Sequence, residues 1–387
     1  MKKNSNYGSK WMYRFKGAAS FAGSGAIAAN FASPKPVRRK FVPKPHLEKI
    51  GGMHKDVRAF ISLHCDLSSV SSTILRTSIS ESILQLPKTY ETIINLKRVN
   101  DIREINHFFY SVNLHLPIGG KFVGCVETKY LRRQRIMKKF PPVLNTFYYI
   151  LDFILKRVFP KLPVTRNIYF WLTGGRNKVL SRTETLGRLY AAGFEIIEKK
   201  FIGSNLYFVA TKVKKPLFNH ERHYGPIFKM RRHGKNGKVI YVYKMRTMHA
   251  YSEYIQAYVY EKNKLDEGGK MKDDFRVSTL GKMFRKYWID ELPMIWNLLR
   301  GDLKLVGVRP LSAHYLSLYS DELKHKRAGH KPGLIPPFYV DLPKTIEDIQ
   351  ASEMRYLSSY EKHPVITDCR YFFAAFYNIL IKKARSK

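Results

Sequence analysis

The stretch DDFRVSTLGKMFRKYWIDELPMIWNLLRGDLKLVGVRP, Asp273 to Pro310, carries the densest pattern in the chain. At its centre Asp290, Glu291, Leu292 and Pro293 place two adjacent carboxylates in the predicted first turn of a helix. Leu292, Ile295, Trp296 and Leu299 follow at i, i+3, i+4 and i+7, which makes one apolar helix face. Gly301 supplies the stop, and Pro293 lies early enough that its missing N–H costs little. A helix start exposes unpaired N–H groups and a partial positive charge, so it suits anions, phosphate included. Arg276, Lys282, Arg285, Lys286, Arg300, Lys304 and Arg309 surround the pair in sequence. An Asp-Glu pair before an apolar run is by itself ordinary helix capping. Ringed by cations at these spacings, it is what metal-assisted phosphoryl transfer needs.

Composition limits the alternatives. The chain has 387 residues, enough for two or three cores, and 44% hydrophobic content excludes global disorder. Lys and Arg total 69 against 30 acidic residues, a formal charge of +39. Such an excess implies a polyanionic neighbour: nucleic acid, an anionic membrane surface or a phosphorylated substrate. No helix-turn-helix, zinc-finger or RNA-binding aromatic signature supports nucleic acid, and none is expected as a partner. Cys65, Cys125 and Cys369 lie far apart, without metal spacing, and their odd number argues against a disulfide framework. A reducing compartment is expected. The Gly17 to Ala32 run is too weakly apolar to read as a secretion signal.

Residues 1–45 read as a flexible basic arm punctuated by Pro34, Pro36, Pro43 and Pro45. Gly23 to Ala28 fits G-x-G-x-x-A on paper, but no strand precedes it, so no dinucleotide loop is expected. Residues 46–215 alternate helix and strand signals. Asp101 is predicted to cap a helix with Ile102, Ile105, Phe108, Phe109 and Val112 on one face, and Lys121 to Val126 reads as a strand. Ser181 and Glu184 form a predicted capping box, Gly193 a stop, and Phe194–Ile197 with Leu206–Val213 paired strands around Gly203-Ser204. Between them VLNTFYYILDFILKRVF, Val143 to Phe159, is apolar but interrupted by Asp152, Lys156 and Arg157. It is too short and too charged for a transmembrane span. After it Pro160 and Pro163 interrupt the chain before Ile168 to Leu172. Two readings of residues 143–172 stay open: a helix lying in a membrane leaflet beside the basic run Lys129, Arg132, Arg133, Arg135, Lys138 and Lys139, or a buried core helix.

The ordered string D-x-R-x-x-x-x-G-x-x-x-R-x-x-x-x-D-E-L-P-x-x-x-N-x-L-x-G-D-x-x-L-V-G-x-R-P resembles the bacterial sugar transferase family. These are the monotopic phosphoglycosyl transferases that start glycan assembly on a polyprenyl carrier. Gly225-Pro226-Ile227-Phe228 matches the family's G-P-x-F, and Lys244-x-Arg246-Thr247-Met248 its K-x-R-[ST]-M, with an Asn236-Gly237 hairpin turn between them. Lys331-Pro332-Gly333 keeps a further turn of the family. The family's apolar anchor usually precedes G-P-x-F, but here LFNHERHY does, which is polar. The piece LPIGGKFVG with GFEII and LYFVATKV faintly resembles the later half of class I methyltransferase domains, without a recognisable glycine loop, and no cofactor is assigned to it.

The expected fold class is α/β (α+β), a degenerate Rossmann or methyltransferase-like region at 46–215 followed by a monotopic transferase domain at 222–387 with amphipathic interfacial helices. The resemblance implies that Asp290 is a nucleophile and that Glu291 binds Mg²⁺. Lys244, Arg246, Arg276, Arg285 and Arg309 would then contact phosphate. Substrates would be a UDP-sugar and polyprenyl (undecaprenyl) phosphate, at the cytoplasmic face of a bacterial inner membrane, with an anionic membrane surface and downstream glycosyltransferases as partners. A catalytically silent scaffold is the alternative, favoured by the missing anchor. Leu280, Met283, Phe284, Tyr287 and Trp288 make a further apolar face, expected to be core. Departures from the family are Met294, Lys304, Val308 and Ile335–Tyr339, so no sugar preference carries over. Asp368 is expected just before a last helix, Tyr371 to Ile381.

Overall fold

Five strands build the N-terminal half: β1 Ser72–Leu75, β2 Thr92–Arg98, β3 Lys121–Val126, β4 Phe194–Ile202 and β5 Asn205–Lys212. Their order is β1-β2-β3-β5-β4, with β1, β2 and β3 parallel and β5 antiparallel to both its neighbours. The computed structural model describes residues 53–87, 89–216, 224–263 and 274–381. The basic arm, the Gly23–Ala28 pattern and most of LFNHERHY therefore lie outside the described residues, as does the proposed division at 215/222.

Alternation sorts the side chains of this sheet onto two faces. Ile93, Phe122 and Phe208 pack with α2 (Ser80–Leu84), α3 (Ile105–His115) and α7 (Arg182–Ala191), while Ile94, Val123 and Val209 pack with α1 (Lys55–Ser62). Both faces are thus covered, as a largely parallel sheet requires. The predicted apolar face of α3 is buried in full. Its cap differs from expectation. Asp101 sits in a 3-10 turn with Val99 and Asn100, and its carboxylate accepts from Arg98 and from the Asn177 N–H, so Glu104 takes the N-cap position. Ser181 does cap α7 through the Glu184 N–H, but the Glu184 side chain turns away to Arg157 and Arg188, leaving half a capping box.

Residues 129–173 form α4 (Lys129–Lys139), α5 (Leu144–Phe153), a π turn Ile154–Val158, a 3-10 turn Phe159–Lys161 and α6 (Pro163–Thr173). They rule out the core-helix reading. Only Asp152 in α5 is buried, whereas Leu144, Phe147, Ile150 and Leu151 are exposed, and on α6 Val164 and Trp171 are 78% and 83% exposed. Asp152 points inward because Arg132 of α4 is buried opposite it, donating from Nε and Nη2 at 2.6 and 2.8 Å. Arg132 therefore belongs to the interior rather than to a free basic run.

The C-terminal half starts from the hairpin β6 (Ile227–His233) and β7 (Val239–Met245), closed at Asn236 and Gly237, both at positive φ as an Asn-Gly turn demands. Helices α8 (Gln256–Asn263), α9 (Thr279–Lys286) and α10 (Met294–Leu299) follow, then the short pair β8 (Lys304–Val306) and β9 (Gly333–Ile335), with α11 (Ala313–Ser317) and α12 (Asp321–Ala328) between them. The chain ends in α13 (Phe338–Asp341), α14 (Ile346–Lys362) and α15 (Pro364–Leu380). The last helix thus begins seven residues earlier than expected and contains Asp368, whose carboxylate meets Lys304 at 3.0 Å and the Tyr356 hydroxyl at 2.6 Å. Val306, Val308, Leu323, Tyr356 and Leu357 form its core.

The two halves meet along α7. Leu186 packs with Ile255, Tyr258 and Val259, the Thr183 hydroxyl donates to the Phe275 carbonyl at 3.0 Å, and Gly187 lies so close to Tyr251 that a Cβ would stand 2.2 Å from its carbonyl oxygen. No described helix is long and apolar enough to cross a membrane.

Candidate active site

Trp288 stands in the left-handed region at φ 58°, a conformation bulky residues rarely adopt and one that clusters at functional sites. It breaks α9 from a 3-10 turn, Ile289–Glu291, that carries both carboxylates ahead of α10. The expected anion-binding helix start is not formed here. Glu291, Leu292, Ile295 and Trp296 donate their N–H groups to carbonyls three residues back. Positive charge comes instead from side chains.

Asp290 and Glu291 line a cavity of about 600 Å³ together with Lys244, Arg285 and Arg309. Lys244 Nζ lies 2.5 Å from Glu291 Oε1, and Arg285 Nε donates to Thr247 Oγ1 at 3.0 Å. That last contact depends on Gly281. A Cβ there would stand 1.9 Å from the Thr247 carbonyl oxygen, so only glycine lets α9 approach. Burial raises the Asp290 carboxyl above its ordinary value, and the charge of Glu291 pushes the same way, against Lys244 and Arg285.

Asn297 fixes this segment to the hairpin. Buried in α10, it accepts from the Tyr243 N–H at 3.0 Å and donates to the Tyr241 carbonyl at 2.7 Å. Asn297→Ala would strip both partners of β7 and is expected to cost about 2–3 kcal/mol. Urea unfolding of the two proteins at equal m-value checks this. An unchanged midpoint would mean that the contact is dispensable.

Residues 205–382 match the family described as Bacterial sugar transferase. Over that stretch the chain is similar to the bacterial sugar transferase family. It is 38% identical over 112 residues to galactosyl transferase CpsE of Streptococcus agalactiae, which covers 28% of this chain and 25% of the relative. It is 36% identical over 126 residues to the uncharacterized sugar transferase EpsL of Bacillus subtilis, covering 33% and 52%. To the undecaprenyl-phosphate galactose phosphotransferase of Salmonella typhimurium it is 33% identical over 116 residues, 28% and 24% of the two chains. The matches thus span about a quarter to a half of these relatives. Among solved structures, an O-methyltransferase family protein from Burkholderia thailandensis aligns over 35% of this chain and 34% of its own at 10% identity and TM-score 0.22, too low to carry an argument.

Within the sugar transferase region the sequence-predicted residues divide. Lys244, Arg285 and Arg309 share the carboxylate cavity, whereas Arg246 and Arg276 do not line it. Residues two apart on a strand share a face, but β7 carries Lys244 and ends at Met245, one residue before Arg246. Arg246 instead donates from Nε to the Gly225 carbonyl at 3.0 Å and stacks on Tyr224 and Phe228. Arg276 is buried in a fork with Asp274, Nη2 to Oδ2 at 2.8 Å. Arg232, to which the sequence reading gave no site role, also lines the cavity. Burial lowers its guanidinium below the ordinary value, and the like charge of Arg309 adds to this. The signal for it was period-2 spacing, because Phe228, Met230 and Arg232 share a strand face and all three reach the cavity. Arg309 in turn is held by its carbonyl, which accepts from Arg327 at 2.6 Å while Arg327 pairs with buried Glu353.

Proposed function

We propose that the protein is a phosphoglycosyl transferase, moving a sugar 1-phosphate from a UDP-sugar to polyprenyl phosphate through a covalent aspartyl intermediate. The observation that supports this best is the meeting of Asp290 and Glu291 with Lys244, Arg285, Arg309 and Arg232 in one cavity. The Asp290 carboxylate attacks the sugar-linked phosphorus, and the bond to the uridine monophosphate oxygen breaks, releasing that nucleotide with the bond's electron pair. An oxygen of the polyprenyl phosphate then attacks the same phosphorus. The Asp290–phosphorus bond breaks, regenerating the carboxylate and giving a polyprenyl diphosphate sugar. Cations around the cavity screen the repulsion between carboxylate and diphosphate, which otherwise forbids the first attack. The product would start surface polysaccharide assembly and feed further glycosyltransferases.

Mg²⁺ fits the donor set. Two adjacent carboxylates, with no described group of three metal-ligating side chains, suit a cation that takes part of its shell from substrate phosphates. Glu291 would hold it, Lys244 giving up its contact with that carboxylate, and it would supply charge neutralisation at the diphosphate.

The substrate acceptor is a membrane lipid, and three exposed apolar faces offer a way onto the bilayer. Leu280, Met283 and Tyr287 on α9 face outward rather than forming core, as do Leu292, Ile295, Trp296 and Leu299 around α10. Ile366, Phe373, Phe376 and Tyr377 do the same on α15, and the α5–α6 face makes the third. With the basic surplus of the chain they support a monotopic seat on an anionic leaflet, at the cytoplasmic side. Phe338 and Tyr339 wall the cavity within the stretch that departs from the family, and Tyr339 packs on Trp288 with ring centroids 4.8 Å apart, so donor preference resides there.

The deciding experiment incubates the full chain in nanodiscs with Mg²⁺ and a panel of UDP-sugars. Uridine monophosphate release, with a phosphosugar mass adduct on the Asp290 peptide when polyprenyl phosphate is left out, is the expected result. Absence of release with every donor would leave the scaffold reading in its place.

A further inference from the structure

A second cleft, of about 1100 Å³, opens where α3, the π turn, α6 and α7 meet Tyr251 of the C-terminal half. Seven Lys and Arg side chains line it against two Glu, an excess of five positive charges. Part of that charge is matched inside the protein. Glu184 is buried and takes Arg157, Arg188 at 3.0 Å and Lys161 at 3.8 Å, while Lys156 reaches Asp152 at 2.7 Å. Three cations remain around one aromatic ring. Arg103, Arg166 and Lys178 stand 5.3, 5.6 and 5.4 Å from the centroid of Phe170, and none of them forms an ion pair with a carboxylate among the described residues.

The backbone around the cleft is shaped rather than incidental. A five-residue π turn, a rare feature that concentrates at functional sites, presents Lys156 and Arg157 to it. The turn is pinned from both sides of Val179, whose N–H donates to the Lys156 carbonyl at 3.0 Å and whose carbonyl accepts from Arg157 at 2.8 Å. Opposite, α6 lines the cleft with Arg166 and Phe170 and carries Val164, Ile168 and Trp171 exposed on its other side.

From this geometry we infer that the cleft is a second phosphate-recognition site, which takes a diphosphate or phosphate monoester on the Arg103–Arg166–Lys178 cluster. A single carboxylate would offset one of the three remaining cations, whereas a diphosphate, with about three charges, offsets them all and matches guanidinium forks in shape. Burial lowers the Lys178 amine to about 8, and Arg188 and Arg103 act the same way against Glu184 and Glu104. A bound anion would draw a proton onto it. The inference stands apart from the catalytic assignment, since no residue of the cluster lines the carboxylate cavity.

Titration calorimetry with inorganic pyrophosphate on the full chain tests it. Arg309→Ala blunts the other cavity, so binding that survives in this variant reports the cleft. Adding Arg103→Ala and Arg166→Ala, both exposed positions, is expected to weaken that binding by at least about tenfold. Adding Arg103→Lys and Arg166→Lys instead should restore part of it. At pH near 8 the binding enthalpy should depend on the buffer, in the direction of proton uptake. Pyrophosphate binding indifferent to the cluster, or absent from Arg309→Ala, overturns the inference. Vesicles of phosphatidylcholine doped with phosphatidic acid then identify the source. Displacement of pyrophosphate from Arg309→Ala by doped but not plain vesicles assigns the cleft to a lipid headgroup, and failure to displace assigns it to a soluble phosphate.

Discussion

Asp290→Asn is expected to lower nucleoside monophosphate release by about 10⁴-fold or more, and to leave the folded protein at least as stable at neutral pH. The first part follows from the proposed chemistry, since an amide cannot form the phosphorus–oxygen bond that starts the reaction. The second follows from the electrostatics of the cavity. Burial, helped by Glu291, holds the Asp290 carboxyl above its ordinary value, so the folded protein prefers the protonated form more than the unfolded chain does. Ionised Asp290 is therefore a cost of folding above the raised value. That cost fades as pH falls through the raised value and is gone below the ordinary one. Asn carries no such cost, so the thermal midpoint of the variant should exceed that of the wild type at neutral pH and converge with it in acid. A variant less stable at neutral pH would mean that Asp290 is a structural cap and would remove the electrostatic half of the argument. Lys244 lowers the Asp290 value, so Lys244→Met should move the acid limb of the release rate to higher pH.

What was legible in the sequence was mostly local. The strand at Lys121–Val126, the Asn236-Gly237 turn, the stop at Gly193 and the apolar face of α3 each depend on a few neighbouring residues, and each appears where it was read. Periodicity also found the apolar faces of α9 and α10, but it gives a face without a direction. The core reading of α9 failed because the only residue it buries is Gly281, set against the Thr247 carbonyl. Long-range partners were out of reach. Nothing near Arg276 in the string distinguishes a phosphate contact from the Asp274 fork, and nothing near Arg246 announces that β7 stops one residue short of it. The second cleft draws on residues from Arg103 to Tyr251, a span that no motif covers.

Arg132→Met is expected to cost about 3–5 kcal/mol, felt first in α5. Arg132 is only 2% exposed and satisfies three elements at once: Asp152 of α5 through its fork, Glu127 at the end of β3 at 3.1 Å, and Asn177 at 2.8 Å. Removing it leaves two buried carboxylates, with Lys156 as the remaining partner of Asp152 and Arg135 as the nearest of Glu127. Burial pushes the Asp152 carboxyl up, but hydrogen bonds from Arg132 and Lys156 outweigh it and hold the group below its ordinary value. That stabilisation is present above the ordinary value and lost as pH falls through the depressed one. The pairing is what seats α5 on the protein, because its apolar residues face outward and contribute no core. Hydrogen exchange over Leu144–Phe153 should accelerate in Arg132→Met while the sheet strands keep their protection. Arg132→Met with Asp152→Leu removes the buried carboxylate that Arg132 balanced and should recover part of the loss. Uniform protection across both variants would mean that apolar contacts hold α5 in place, and the outward face of residues 144–172 would then lose its simplest explanation: a helix anchored by charge so that its apolar side stays free for the bilayer.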